Sequence, residues 1–148
     1  MKIPCSIRNL VRRFNPTYGL IHKGNLRIAR DCFFDSEKQV EFGKDVFVNR
    51  KCQFHIGSKE LVRISIGDQV WIGMDVCFVC PTHKIGCHKQ RAGEAIYKSI
   101  RIDNGVWIGA RTTILPGVHI GEGSIIAAGR VVANDVSPNE LWGGCPLS

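Results

Sequence analysis

The sequence predicts an all-β fold in which short parallel strands wind into a three-sided coil. Three observations predict it. Aliphatic residues recur every six positions at Ile102, Ile108, Ile114, Ile120, Ile126 and Val132. Four residues after each stands a mostly small or β-branched one: Val106, Thr112, Val118, Ser124, Arg130 and Val136. The residue directly after the aliphatic one is often small, as at Gly109, Gly121, Ala127 and Ala133. A period of six is neither a helix face nor plain strand alternation. Each hexapeptide supplies one flat strand and one corner. Three make one coil of roughly eighteen residues, and coils stack at about 4.8 Å. Stacking buries a continuous apolar axis that no single repeat buries alone.

In chain order, residues 1–20 read as a basic helical arm. Ile3, Ile7, Leu10, Val11 and Phe14 fall on one helical face, with Arg8, Arg12 and Arg13 on the others and Pro4 in the first turn. Such a helix either covers the open end of the coil or meets an anionic acceptor or membrane surface. Residues 26–136 carry the repeat. Its phase returns upstream at Ile66-Gly67, Ile72-Gly73 and Phe78, with Val70 and Val76 four later, and more weakly at Phe42-Gly43, Val48 and Phe54. Corners need positive φ or tight turns, which Gly67-Asp68, Asn104-Gly105 and Glu122-Gly123 suit. Residues 57–63 and 80–99 break the period. In the second break, polar Lys84 and Gln90 occupy axis positions, so this segment leaves the coil as an extended loop. Residues 137–148 form a tail.

The chain is 148 residues, enough for one domain. Apolar residues are 44% and charged residues 22%, which excludes a disordered chain. No apolar run is long enough to span a membrane, and the start lacks the pattern of a secretory signal. Seven cysteines, an odd count without an export signal, point to free thiols in the cytoplasm, at most peripheral to the inner membrane surface. The net charge of +7 sits in residues 1–30, where Lys2, Arg8, Arg12, Arg13, Lys23, Arg27 and Arg30 meet no acid. A basic arm on a neutral body suits anionic sugars, nucleotides or lipid head groups, or is a solvated face; nucleic acid is not an expected partner.

The stretch IDNGVWIGARTTILPGVHIGEGSIIAAGRVVANDV resembles the hexapeptide-repeat acyltransferases, whose fold is a left-handed parallel β-helix. The likeness covers about residues 40–146. Within that family the chain is most similar to the galactoside/maltose and the cell-surface polysaccharide O-acetyltransferases. The resemblance implies acetyl-CoA as co-substrate and direct transfer of the acetyl group to a carbohydrate hydroxyl. It implies a homotrimer with its sites between subunits. It places the general base at His83, in Pro81-Thr82-His83 at the start of the extended loop, with Trp107 following in Val-Trp-Ile-Gly. Imidazole is a suitable base near neutral pH. Asn49 is implied to assist the acceptor or the developing oxyanion. Trp107, Ala110, Ala128, Ala133 and Asn134 match the cofactor-binding positions, where small side chains let the pantetheine arm approach the backbone. Arg91, Glu94 and Tyr97 share the loop with His83 and are candidate acceptor contacts, with Asn49. The basic arm tilts the acceptor toward an anionic or lipid-linked glycan. The chain departs from the family at Ala133-Asn134, where a hydroxyl and a Lys are usual, and in its short Gly144-Cys145-Pro146 ending.

Other readings stand beside this one. An antibiotic is an alternative acceptor. His83 and His88, with His55 or His119, have the composition of a carbonic-anhydrase-like metal site, but they lie off the repeat and leave Trp107 unexplained. Cys77-x2-Cys80 is one weak zinc pair, better read as packing thiols, and no metal is expected. A non-catalytic scaffold would have no need of His83.

Overall fold

In the computed structural model, which describes Ile7, Leu10, Val11 and residues 17–143, the chain is a left-handed parallel β-helix. The coil has three faces. On the first, Phe42, Ile66, Ile102 and Ile120 stack through in-register parallel pairs, and Val136 bridges to Ile120. On the second stand Ile28, Val48, Ile72, Ile108, Ile126 and Trp142. On the third stand Phe34, Phe54, Phe78, Ile114 and Val132. One hexapeptide therefore moves the chain one face on, and three return it to the same face one coil further. The strand Val40–Val48 covers the first face, rounds a corner and continues on the second.

The expected axis is the observed core. Ile108, Ile114, Ile120 and Val132 have 0% exposure. Phe34, Phe54 and Phe78 stack with centroids 4.5 and 4.8 Å apart, the spacing of adjacent coils. Phe42 meets Phe54 edge-on from the first face. The positions four residues on line the inner corners. Buried Thr112 there donates its hydroxyl to the Gly109 carbonyl at 2.8 Å, so it costs no unsatisfied polar group.

Each coil turns its corners with the same residues in left-handed backbone. Asp45, Gln69, Gly105, Gly123 and Asn139 do so between the first and second faces, here called the first corner. Asp31, Lys51, Asp75, Arg111 and Gly129 do so at the second corner, between the second and third faces. Near Gly67-Asp68 the left-handed residue is thus Gln69. Gly67 is there for a different reason: a Cβ on it would lie 2.8 Å from the Asn104 amide nitrogen.

Ile7, Leu10 and Val11 are helical; the remainder of the expected N-terminal helix lies outside the described residues, as do 144–148. The segment 57–63 is held by Gln39, whose Nε2 donates to the Lys59 and Val62 carbonyls at 2.8 Å. The segment expected as an extended loop is an antiparallel hairpin, Pro81–Ile85 with Ala92–Tyr97. It leaves and rejoins the coil at the third corner, between the third and first faces. No helix among the described residues is long and apolar enough to cross a membrane.

Candidate active site

The hairpin carries the strongest candidate. Buried Cys80 follows the third-face strand Cys77–Val79, and Pro81 starts the departure. Thr82 pairs with Ile96 and His83 with Ala95, and the register shifts between His83 and Ile85. Such an irregularity re-aims a side chain. His83 Nδ1 lies 2.8 Å from the Gly93 carbonyl oxygen. A carbonyl only accepts, so Nδ1 carries the hydrogen and Nε2 is left with a free lone pair. The ring is exposed. Lys84 and Glu94 bridge the strands at 2.6 Å, and Arg91 Nη1 reaches the Gly86 carbonyl at 3.5 Å. Glu94 and Arg91 therefore brace the hairpin, beside His83. Tyr97 closes its root: its ring packs against Gly57, where no Cβ fits, and its hydroxyl meets Ser58 at 3.4 Å.

Asn49 is elsewhere. It sits half-buried at the second corner, its Oδ1 accepting from the Arg50 amide at 2.8 Å and its carbonyl from the Cys32 thiol at 3.2 Å. Its Nδ2 has no partner among the described residues. The amides of Asn49, Gly73, Gly109 and Ala127 each donate to the coil below, to Ile72, Ile108, Ile126 and Trp142. Asn49 thus stands in one column with Gly73, Gly109 and Ala127, and Ala110 and Ala128 are one residue further round the same corner. Trp107 is beside that column, on the outer surface of the second face, stacked in register on Trp71 and Ile125. Phe47 and Arg27 extend the same surface. Ala133 and Asn134 are exposed at the third corner, below the hairpin. One chain therefore groups His83, Ala133 and Asn134 on one corner, and Asn49, Ala110 and Ala128, with Trp107, on another.

The second corner presents a low surface lined by backbone. A Cβ on Gly73 would come within 2.6 Å of the Ala110 nitrogen, and one on Gly109 within 2.5 Å of the Ala128 nitrogen. Coils here pack backbone against backbone, and Ala110, Ala127 and Ala128 raise nothing larger than a methyl group.

Sequence reasoning passed over the outer surface of the third face beside the hairpin root. Gln53 Oε1 accepts from His55 Nε2 at 2.9 Å, which leaves His55 Nδ1 as an acceptor. The His55 ring lies 5.4 Å from Phe33. His55 pairs with Val79, two residues before the hairpin departs. Asp35 shapes the adjoining turn by accepting the Ile56 and Gly57 amides at 2.8 and 3.0 Å. The available signal was alternation: Gln53 and His55 flank the axis residue Phe54 and must point outward.

Cys32, Cys52, Cys77 and Cys80 are buried or half-buried packing groups, whereas Cys87 is exposed. Burial, with the Asp35 charge and against a backbone hydrogen bond, pushes Cys80 up to about 12, and burial also raises Cys77. Cys32 and Cys52 share a hydrogen bond at the second corner, which lowers Cys32 and, with burial, raises Cys52. Among the described residues no three His, Cys, Asp or Glu side chains are grouped to hold a metal ion.

Comparison with known proteins gives a consistent picture. Residues 99–134 match the family described as bacterial transferase hexapeptide, six repeats. A Schizosaccharomyces pombe protein assigned as an acetyltransferase is 34% identical over 96% of this chain and 78% of its own length. The galactoside O-acetyltransferase of Lactococcus lactis is 29% identical over 93% of this chain and 72% of its own. A hexapeptide-repeat acetyltransferase from Vibrio cholerae, solved in complex with acetyl coenzyme A, superimposes with a TM-score of 0.74 at 30% identity, covering 95% of this chain and 73% of that one.

Proposed function

Because the chain belongs to the hexapeptide-repeat acetyltransferases, the galactoside/maltose-like enzymes that use acetyl-CoA, we propose that it acetylates a carbohydrate hydroxyl with His83 as general base. The observation that carries the reading is the tautomer: Nδ1–H is committed to Gly93, and Nε2 projects free on an exposed hairpin. When bound, acetyl-CoA supplies an acyl carbon activated by its thioester. His83 Nε2 takes the proton of the acceptor hydroxyl as that oxygen attacks the acyl carbon. The Gly93 carbonyl supports the imidazolium that results. Asn49 Nδ2 donates to the oxygen on which charge collects. His83 then returns the proton to the departing CoA sulfur, so the products are an O-acetyl ester and the free thiol.

His83 and Asn49 lie on different corners, so the complete site takes the third corner of one copy and the second corner of a neighbour. Repetition of that head-to-tail contact closes a ring, here a homotrimer. The exposed aromatic surface of Trp71 and Trp107 favours such association. From the level of Asn49 to that of Ala128 is three coil steps, about 14 Å, which accommodates an extended pantetheine arm. The acceptor lies against Phe33, Gln53, His55 and Tyr97, with Arg91 and Glu94 behind. A ring and two hydrogen-bonding side chains suit a sugar, which offers an apolar face and hydroxyls. Lys84, His88, Lys89 and Arg91 favour an anionic glycan of the cell surface, handled in the cytoplasm or at the inner membrane surface.

Subunit mixing tests this. His83→Ala and Asn49→Ala proteins are each expected to be nearly inactive in acetyl-CoA consumption with a panel of galactosides and anionic glycans. Unfolded together and reassembled, they recover about a quarter of wild-type sites, because some sites draw both intact residues from different copies. No recovery would refute the shared site; no turnover by wild type with any glycan would refute the acceptor class.

A further inference from the structure

Two thiols at the second corner have no role in the chemistry above. Cys32 and Cys52 each stand four residues after an axis residue, Ile28 and Val48, in the inner-corner column that Val76 and Thr112 continue below. Parallel pairing of Phe33 with Gln53 and of Phe34 with Phe54 sets Cys32 directly over Cys52. Backbone bonds hold that register on both sides. The Phe33 amide donates to the Cys52 carbonyl at 2.8 Å, and the Lys51 amide to the Arg30 carbonyl at 3.2 Å. Stacked strands lie about 4.8 Å apart, inside the Cα separation of about 4.4–6.8 Å that a disulfide bridges. The sulfurs also meet, since the two thiols share a hydrogen bond. Cys32 is half-buried and Cys52 is buried. A small oxidant therefore reaches Cys32 first and finds Cys52 behind it. The hydrogen bond from Cys52 lowers Cys32 against burial and the Asp31 charge, which favours the thiolate that attacks peroxides. Each thiol has a further contact. Cys32 donates to the Asn49 carbonyl at 3.2 Å, and the Cys52 S–H turns between the Cys32 sulfur and the Gly73 carbonyl, 3.1 Å away. The pair thus holds the peptide of Asn49 itself.

We propose that Cys32 and Cys52 are a site of oxidation by peroxides, and that their disulfide resets the corner carrying Asn49. In the first step the Cys32 thiolate attacks one oxygen of hydrogen peroxide. The O–O bond breaks, hydroxide leaves and takes up a proton as water, and Cys32 becomes a sulfenic acid. The thiol–thiol hydrogen bond, the first cause that keeps Cys52 protonated, is then gone. In the second step the Cys52 sulfur attacks the Cys32 sulfur. The S–O bond breaks, and hydroxide departs with the Cys52 proton as a second water. Two thiols and one peroxide give one disulfide and two waters. Neither sulfur then carries a hydrogen, so the Asn49 and Gly73 carbonyls lose their sulfur donors. The cross-link depends on the thiols alone; its effect on turnover rests on the reading of Asn49 as the oxyanion donor.

The test treats the assembled protein with hydrogen peroxide, blocks the remaining thiols and maps the chain with trypsin. Cleavage after lysine and arginine leaves Cys32 in residues 31–38 and Cys52 in residues 52–59. The disulfide therefore appears as one cross-linked species, two hydrogens lighter than the two peptides together. Oxidised protein is expected to show that species and to have a kcat for acetyl transfer lowered about fivefold, the effect of one ordinary hydrogen bond, with dithiothreitol reversing both. Cys32→Ser keeps a hydroxyl donor for the Asn49 carbonyl. It is expected to match reduced wild type and to be indifferent to peroxide. Cys87→Ser, which removes the exposed thiol of the hairpin, is expected to keep the full response. Peroxide that leaves the two peptides separate overturns the site. A cross-link that leaves kcat unchanged overturns the coupling to Asn49, and so does equal slowing of Cys32→Ser by peroxide. If reduced wild type acetylates no glycan, the proposed activity falls, while a reversible cross-link read by mass upholds the site of oxidation.

Discussion

Replacing His83 by Ala removes a single exposed imidazole and one hydrogen bond to a carbonyl that water can satisfy instead. The stability cost is therefore small, within about 0.5 kcal/mol. The chemical cost is not. Loss of a positioned general base lowers turnover about 10²–10⁴-fold, or about 3–5 kcal/mol of transition-state stabilisation. His83→Asn refines the experiment. Its amide nitrogen can take the place of Nδ1 and donate to Gly93, but it offers no base. If the ring only orders the hairpin, Asn rescues; if Nε2 takes the proton, Asn is as inactive as Ala. The assay is release of the CoA thiol under saturating acceptor, with thermal melting as the control on folding. A variant that melts like wild type and retains its kcat would refute the assignment.

Other expectations concern the scaffold. Phe54→Ala empties the middle of the phenylalanine stack and is expected to cost about 3–5 kcal/mol in urea unfolding; a loss under 1 kcal/mol would mean the coils collapse into the gap. Thr112→Val keeps shape but strips the hydroxyl from the Gly109 carbonyl, at a cost of about 1–3 kcal/mol; equal stability would show that this bond contributes nothing. Burial alone would raise Asp103, but hydrogen bonds from His119 and Arg101 at 2.7 Å, with their charges, outweigh it and hold the carboxyl below its ordinary value. That stabilisation is present above the unfolded carboxyl pKa of about 3.9 and is lost as the pH falls through the lower folded value. Asp103→Asn should therefore flatten the acid limb of a melting-temperature profile below about pH 4, and an unaltered limb would remove the pair from the account.

The six-residue step made the winding legible because one side chain per face must fill a narrow axis, and Ile102 to Val132 obey that without exception. It also exposed the break at 80–99. It did not reveal that the break is a paired hairpin, since Thr82–Ile96 pairing depends on a register shift that no period records. It did not separate Asn49 from His83 either. Residues one face apart look equivalent along the chain, yet they sit on different corners, and only the winding count through the 57–63 insertion tells which. Gln53 escaped notice, and His55 was weighed only as a metal ligand, because a repeat draws attention to its inward members.

The hairpin enters and leaves at neighbouring backbone positions, Cys80 accepting from the Lys98 amide at 3.0 Å, and the winding resumes as though nothing had been inserted. Apart from Tyr97, which packs at the root, the segment between those two residues stands outside the stacked core. Descendants of such a chain can lengthen, shorten or exchange the outer part of that segment while the stacked coils are inherited intact.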